Sequence, residues 1–363
     1  MLSVSHISRI STNTANIHSI QGDLLKQEDV DAIVNTVNCV GVMGKGIALQ
    51  FKKKWPDNFK AYALACKNKQ VKLGQMFTFE LGALATPRFI INFPTKDHWR
   101  SASRLEDIES GLQDLVQQIA YFDIRSIAIP PLGCGLGGLP WSDVRPLIVK
   151  YLGNIEKLEV RLFEPTDAIK ATAIETNTTK PKMTAGRAAI LALLETYQSV
   201  NYGLSKIEVQ KLAYFLQEAG ENLKLEFIKH NYGPYADALR HALNTMDGHY
   251  IQGVGDGVVE SEIRPVDTAL EDAKQYLTTS NEAINARIGR VSDLIEGYQS
   301  PYGVELLATV HWVAKHEGAS NPIEAYQAIQ QWNERKQMLM TQQHVQAAWN
   351  RLQNNGWFHE KIK

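Results

Sequence analysis

Two glycine-rich stretches constrain the fold more than any other feature of this sequence. Gly41-Val42-Met43-Gly44-Lys45-Gly46 follows the run Asn35-Thr36-Val37-Asn38, and Gly133-Cys134-Gly135-Leu136-Gly137-Gly138 follows Ile127-Ala128-Ile129-Pro130-Pro131. Each lies where a β-branched run gives way to an amphipathic one, so each reads as a strand-to-helix junction. Glycine lets a backbone turn tightly and come close to a ligand, and the start of a following helix offers unpaired N–H groups and a dipole that favours an anion. A chain that repeats this junction is expected to fold as an α/β layer structure with a mixed or largely parallel central sheet.

The same rhythm runs through the first 165 residues. Strands are expected over residues 32–37, 75–81, 88–93, 126–129 and 158–163. Ser103 and Glu106 have capping-box spacing, and Leu105, Ile108, Leu112, Leu115, Ile119 and Phe122 recur in steps of three and four, as one buried helical stripe requires. Another helix is expected from Gly46, with Ile47, Phe51 and Trp55 on one side and Lys52, Lys53 and Lys54 around the other. Residues 166–182, Thr-rich and flanked by Pro165 and Pro181, lose the apolar period and read as a linker. Beyond them, residues 183–363 look mostly helical: Ser205 and Glu208 form a second capping-box pattern, and Asn321-Pro322 is a favourable helix start. A strand is expected there over residues 223–228. At about 150 residues per domain, 363 residues fit two domains.

Charge and cysteine content remove several function classes. With 38 Lys plus Arg against 39 Asp plus Glu, the formal charge is −1, so there is no overall basic coat and any cationic face is local. Three cysteines, Cys39, Cys66 and Cys134, form no CxxC pair, which argues against a disulfide framework or zinc knuckle and for a reducing cytoplasm. No run approaches the roughly 18 apolar residues of a membrane span, and the polar start over residues 1–16 lacks a signal core. The expected location is therefore cytoplasmic. His311 and His316 lack the i, i+4 spacing of a helical zinc pair, so no metal site is expected. Cys39 and Cys134 read as small spacers, because no base with an orienting partner accompanies either thiol.

Familiar phosphate motifs fit poorly. A Walker loop built on Gly44-Lys45 needs Gly at position 39 and Ser or Thr at position 46, where Cys39 and Gly46 stand. Gly133, Gly135 and Gly138 match GxGxxG, but late in the chain and after two prolines, unlike a dinucleotide fingerprint. Both loops remain diphosphate candidates by their glycines and their setting.

Gly22-Asp23-Leu24, Asn35-Thr36-Val37-Asn38, Gly44-Lys45-Gly46-Ile47-Ala48 and Pro131-Leu132-Gly133-Cys134-Gly135-Leu136 occur in the order and spacing of a macrodomain, the ADP-ribose-binding module. Met43 to Ala48, Phe51-Lys52-Lys53-Lys54 and Asn92-Phe93-Pro94-Thr95-Lys96 further resemble the branch holding the terminal ADP-ribose glycohydrolase and the DarG-type antitoxins. The two-domain layout favours the antitoxins. The resemblance implies a macrodomain over residues 1–165, with a central mixed sheet flanked by helices. By the resemblance, Asp23 and Leu24 bind ADP-ribose, with Asp23 accepting from the adenine amino group; read alone, Asp23 is a turn residue. Asn35 and Asn38 are implied at the distal ribose, where otherwise they end a strand. The amides of Gly44, Lys45, Gly46 and Ile47 and of Gly133, Cys134, Gly135, Leu136 and Gly137 are implied to cradle the two phosphates. Lys96 is implied as the catalytic residue.

A lysine amine attacks a sugar carbon only when neutral; burial favours that form, whereas a nearby diphosphate favours the ammonium, so nucleophilic and electrostatic roles both stay open. The glycohydrolase relative has an acidic helper in its second phosphate loop where this chain has Gly137. Asp97 and His98 are candidates to move the proton instead. No cofactor is implied, since ADP-ribose is itself the bound part of the substrate. Trp99, Arg100 and Lys52 to Lys54 could stack on bases and meet phosphates of a DNA strand, or could simply be core and solvated surface.

In the second half, Lys211-Leu212-Ala213-Tyr214-Phe215 and Asn231-Tyr232-Gly233-Pro234-Tyr235 resemble the start of the SocA-like, or Panacea, antitoxin domain. The two resemblances together imply an antitoxin that removes ADP-ribose from bases of single-stranded DNA and binds its DarT-type ADP-ribosyltransferase toxin through the second domain. Alternatives are a noncatalytic ADP-ribose reader and a purely protein-binding antitoxin.

Overall fold

A computed structural model of the chain describes residues 16–27, 29–165, 175–197, 203–257, 260–279 and 282–358. Two compact units emerge, the first comprising Met1–Ile169, Glu175–Thr178 and Asp256–Val258, the second the remainder. Of the linker expected over residues 166–182, residues 166–174 lie outside the described residues, as do residues 1–15 of the polar start.

The first unit is built on a six-stranded sheet. Its strands are β1 (Ile17–Ile20), β2 (Ala32–Asn38), β3 (Phe77–Glu80), β4 (Phe89–Lys96), β5 (Ser126–Ile129) and β6 (Glu159–Phe163), in the order β1-β6-β5-β2-β4-β3. All neighbours pair in parallel except β3 with β4, so the sheet is mixed, as expected. Every strand expected in the first 165 residues is present within a few residues. Edge strand β1, absent from that expectation, has only two of its four residues partly buried and shows no clear apolar run.

Parallel strands carry helices on both sheet faces, and alternation along each strand supplies two cores. Ala32, Val34, Phe89, Ile91 and Phe93 face α3 (Leu105–Tyr121) and α4 (Trp141–Leu152). Ile33, Ile90 and Ala128 face Phe51 of α1 (Gly46–Lys54), while Val37 packs with Tyr62 and Cys66 of α2 (Pro56–Lys67). The expected stripe on α3 holds: Ile108, Leu112, Leu115 and Ile119 are buried. Contact with the sheet is so close that a Cβ at Gly111 would lie 2.3 Å from the Phe93 ring.

The capping box expected at Ser103 does not form. Helix α3 starts one residue later, with Arg104 at its N-cap and no side-chain cap, because Ser103 is drawn under the second glycine loop, where its amide donates to the Gly137 carbonyl at 2.9 Å.

The second unit is predominantly helical: α5 (Ala185–Tyr197), α6 (Lys206–Glu218), α7 (Asp237–Met246), α8 (Asp267–Thr278), α9 (Glu282–Ile295), α10 (Pro301–His316), α11 (Pro322–Gln330), α12 (Glu334–Leu339) and α13 (Gln342–Asn354). Two short strand pairs interrupt it, β7 (Ile228–His230) with β8 (Gly233–Tyr235), and β9 (Ile251–Gln252) with β10 (Arg264–Pro265). Of the strand expected over residues 223–228, only Ile228 is in a strand; the Leu225 amide and carbonyl are bonded to the Gln217 side chain of α6, each at 2.9 Å, instead of to a neighbouring strand. The second capping box does form: Ser205 accepts from the Glu208 amide, and Glu208 accepts from the Ser205 amide at 2.7 Å. Asn321 caps α11, with Pro322 in its first turn.

Helices α6 and α10 pack together at the centre, with residues 208–216 of the first and 303–313 of the second buried. Charge is buried here too. Glu305 accepts from Lys336 at 2.6 Å and from Arg335 at 2.7 Å, and Lys336 also donates to Thr309. Lys211 donates to the Pro234 carbonyl at 2.7 Å, so the two sequence segments singled out in this half meet in one hydrogen bond. Burial pulls the Lys211 amine down to about 7. Among the described residues, no helix is long and apolar enough to cross a membrane.

Candidate functional site

The two glycine loops end neighbouring regions of the sheet, one after β2 and one after β5, which pair in parallel. Both therefore leave the sheet at its carboxyl edge, where ligands of α/β folds collect. Strand β4, on the other side of β2, ends at the same edge with Lys96.

A register shift decides where that lysine stands. Residues 32–37 of β2 pair in step with residues 89–94 of β4, and then Asn38 lies opposite Lys96 instead of Thr95. One skipped residue turns the following side chain to the other face of a strand, so the bulge puts Lys96 on the face it shares with Asn38. The sequence held a signal for this. Pro94, which lacks an N–H, occupies a strand with neighbours on both sides, and proline in such a strand points to a bulge.

The Lys96 amine donates to the Leu136 carbonyl at 2.7 Å, which brings it onto the second glycine loop. Burial lowers its pKa below the usual lysine value of 10.5. The loop itself is wound by bonds from Cys134 to Pro131, Gly138 to Gly135 and Leu139 to Gly133, with Gly133 and Gly138 at φ of 71° and 80°. Gly135, Leu136 and Gly137 have amides without hydrogen bonds among the described residues. A side chain cannot enter at Gly137: its Cβ would be 2.3 Å from both the Gly133 carbonyl oxygen and the Ser103 hydroxyl. The acidic helper seen in the related glycohydrolase is therefore excluded by packing. The Ser103 Oγ beneath the loop is buried and without a partner.

The first loop is clasped by Asn38, whose Nδ2 donates to the Val42 carbonyl at 2.6 Å while its Oδ1 accepts from the amides of Val40 and Val42. Tyr62 donates to the Asn38 carbonyl at 2.5 Å. The amides of Gly44 and Lys45 have no hydrogen bond among the described residues, and Ile47 lies in the first turn of α1. Gly46, at φ 59°, donates to the Asp256 carbonyl at 2.9 Å.

Asn35, implied above at the distal ribose, has its side chain inside the fold. Its amide is fully buried under α2 and donates to Asn92 at 2.9 Å, and Asn92 in turn donates to Asn58 and to the Phe77 carbonyl. The Asn35 Oδ1 is buried without a partner. Asn58 and Asn92 were not among the expected site residues, since their meeting depends on how α2 packs on the sheet. Asp23 ends β1's connection as the N-cap of a 3₁₀ turn (Leu24–Lys26), its Oδ1 accepting from Leu25 at 2.9 Å, and Leu24 is buried in the core. Turn residue and free acceptor coexist in Asp23, because the bond uses one carboxylate oxygen.

The three lysines of α1 are occupied. Lys52 lies 4.1 Å from the centre of the Phe59 ring, Lys53 is buried, and Lys54 donates to the Leu25 carbonyl and pairs with Glu175. Burial pushes the thiols of Cys39 and Cys134 up, to about 12 and about 11, which disfavours the thiolate that a nucleophile needs. His311 is buried against Tyr214, and burial pulls it down to about 3. No group of three or more His, Cys, Asp or Glu with metal-ligand geometry occurs among the described residues.

What this edge can do is bind an anion through main-chain N–H groups and present one primary amine beside it. Residues 34–148 match the Macro domain family. Over 337 residues the chain is 48% identical to a DNA ADP-ribosyl glycohydrolase of Thermus aquaticus, covering 93% of each protein. It is 42% identical to a DNA ADP-ribosyl glycohydrolase of Mycobacterium tuberculosis over 346 residues, 91% of this chain and 97% of the relative. It is also 35% identical over 169 residues to a DNA ADP-ribosyl transferase-DNA ADP-ribosyl glycohydrolase fusion protein of Thermosipho africanus, covering 42% of this chain and 43% of that protein.

Proposed function

The chain belongs to the family of DNA ADP-ribosyl glycohydrolases, and from that membership we propose that its first unit removes ADP-ribose from bases of single-stranded DNA. The unbonded amides of Gly44 and Lys45 in the first loop and of Gly135, Leu136 and Gly137 in the second hold the diphosphate, whereas those of Gly46 and Cys134 are taken by the Asp256 and Pro131 carbonyls; Asp23 takes the adenine end, and Lys96 acts at the anomeric carbon of the distal ribose. The observation that carries this reading is the 2.7 Å bond from the Lys96 amine to Leu136, because it joins the one candidate nucleophile to the loop expected to carry a phosphate.

Cleaving the bond to the base gives the anomeric carbon oxocarbenium character. In the neutral form Lys96 attacks that carbon: a C–N bond to the amine forms as the C–N bond to the base breaks, and the base leaves with the bonding electron pair and takes up a proton. Water then displaces the amine, releasing ADP-ribose and restoring Lys96. Burial, which lowers the amine's pKa, favours the required form.

Incubating the chain with ADP-ribosylated single-stranded DNA is expected to yield free ADP-ribose and unmodified strand. Lys96→Ala should bind ADP-ribose and release nothing, and Lys96→Arg, cationic but a poor attacker, should be as inactive. Unchanged turnover by Lys96→Ala overturns the assignment.

The second unit, in this proposal, neutralises the transferase that places the modification by binding it. Two observations support a transferase partner: the fusion of both activities in the Thermosipho africanus relative, and the resemblance of the segments around Lys211 and Gly233 to an antitoxin domain. Co-purification of a DarT-type transferase with both the native chain and Lys96→Ala is the expected result; loss of the complex in Lys96→Ala would place binding in the first unit instead.

A further inference from the structure

Immediately after Lys96 the chain turns, with Ser101 donating to the His98 carbonyl at 2.9 Å, and presents a half-buried His98 followed by the exposed Trp99 and Arg100. The rings of His98 and Trp99 lie 5.3 Å apart, and the Arg100 guanidinium sits 4.5 Å over the Trp99 ring. Trp99 is 48% exposed, an unusual state for an indole with no core to cover it. The Arg100 amide donates to His98 Nδ1 at 3.2 Å, which fixes the order of the three groups. Arg100 has no carboxylate partner among the described residues, so apart from the Trp99 ring nothing there offsets its charge.

This row belongs to a larger apolar rim. Val40 and Val42 of the first loop and Leu136 of the second are exposed large hydrophobics. The Cys39 amide bonded to the Asp97 carbonyl, and the Lys96 amine bonded to Leu136, tie both loops to this segment. A diphosphate gains nothing from such a rim. Unpaired nucleobases do: each has an apolar π-face that continues a stack of aromatic rings or a guanidinium plane, and each is joined to a phosphate that an unpaired arginine attracts. Bases within a duplex have their faces covered already.

We propose that His98, Trp99 and Arg100 form the docking surface for the unpaired strand beside the modified base, and so set the preference of this site for a strand over an isolated nucleotide. The inference rests on the reading that the first unit cleaves ADP-ribose from DNA. Trp99 extends the stack of bases, His98 backs it, and Arg100 meets the phosphate linking the modified nucleotide to its neighbour.

The test compares kcat/KM of the full chain on an ADP-ribosylated single-stranded oligonucleotide with kcat/KM on an ADP-ribosylated mononucleotide. Loss of one base–aromatic stack is expected to lower the ratio of the two values by about tenfold to a hundredfold in Trp99→Ala, with the change in KM for the oligonucleotide. Trp99→Phe should restore most of the ratio, and Arg100→Gln should lower it less at high salt than at low salt. Calorimetric binding of ADP-ribose by each variant checks that the fold is kept. An unchanged ratio in Trp99→Ala, including one produced by equal losses on both substrates, overturns the proposal. A native chain inert on both substrates overturns the underlying reading, and the proposal with it.

Discussion

Lys96 carries opposite demands in one atom, since attack on carbon needs a lone pair and the adjacent diphosphate favours a proton on it. Burial lowers its pKa, which works toward the lone pair. For a base, the active fraction grows with pH until the pKa is passed. Turnover on ADP-ribosylated DNA should therefore rise about tenfold per pH unit and level off below 10.5, the ordinary lysine value, and a rate profile over pH 6–10 would measure it. A profile flat across that range would mean that the ammonium acts electrostatically. Packing also explains the absence of a carboxylate partner. With 2.3 Å between a Cβ at position 137 and two oxygens, only glycine can hold Ser103 against the loop. At this scale the sequence was legible where a feature depends on local chemistry, as for the turn glycines Gly133 and Gly138 at φ of 71° and 80°. It was not where a role depends on contact across the fold: the inward amide of Asn35 needs Asn92 and Asn58, separated from it in the chain by 57 and 23 residues (92 − 35 and 58 − 35).

Two helices with the same Ser-x-x-Glu signal show how an element's start is decided by its surroundings. Ser205 and Glu208 exchange both bonds of the capping box, and Glu208 also accepts from Tyr197 at 2.8 Å. Ser103 has the same spacing to Glu106 but is held by the Gly137 carbonyl, and its hydroxyl stays buried and unpaired. Ser205→Ala should cost about 1 kcal/mol in denaturant unfolding, the ordinary value of an N-cap. Ser103→Ala removes no cap and relieves a buried polar group of its desolvation, so its stability should stay within about 0.5 kcal/mol of the native chain or rise slightly. A loss at Ser103 as large as at Ser205 would show that its hydroxyl is paired after all. Strand register follows the same logic. The extents of β2 and β4 were readable from their β-branched residues, but the slip that sets Lys96 opposite Asn38 is a property of the pair of strands.

Across the whole molecule, the formal charge of −1 limits how a strand of DNA can be held. The lysines at residues 52–54, the densest run of positive charge near the site, are covered by Phe59, buried, or bonded to Leu25 and Glu175. Their sequence suggested a phosphate-facing ridge; the packing of α1 against α2 removes it, and no local pattern could have reported that contact. Arg100, four residues after Lys96 in the chain, remains as an exposed cation with no carboxylate partner among the described residues. Salt dependence of binding counts neutralised phosphates, with the logarithm of affinity falling by about 0.7 per phosphate for each decade of salt on single strands. One or two phosphates then give a slope near −1, where a basic coat engaging six gives about −4. Affinity of the full-length Lys96→Ala chain for an ADP-ribosylated oligonucleotide, followed by fluorescence anisotropy from 50 to 500 mM salt, should show the shallow slope. A slope near −4 would require a cationic surface that the balanced composition and the occupied lysines leave no room for, and recognition would then rest on charge instead of on stacked bases and a bound diphosphate.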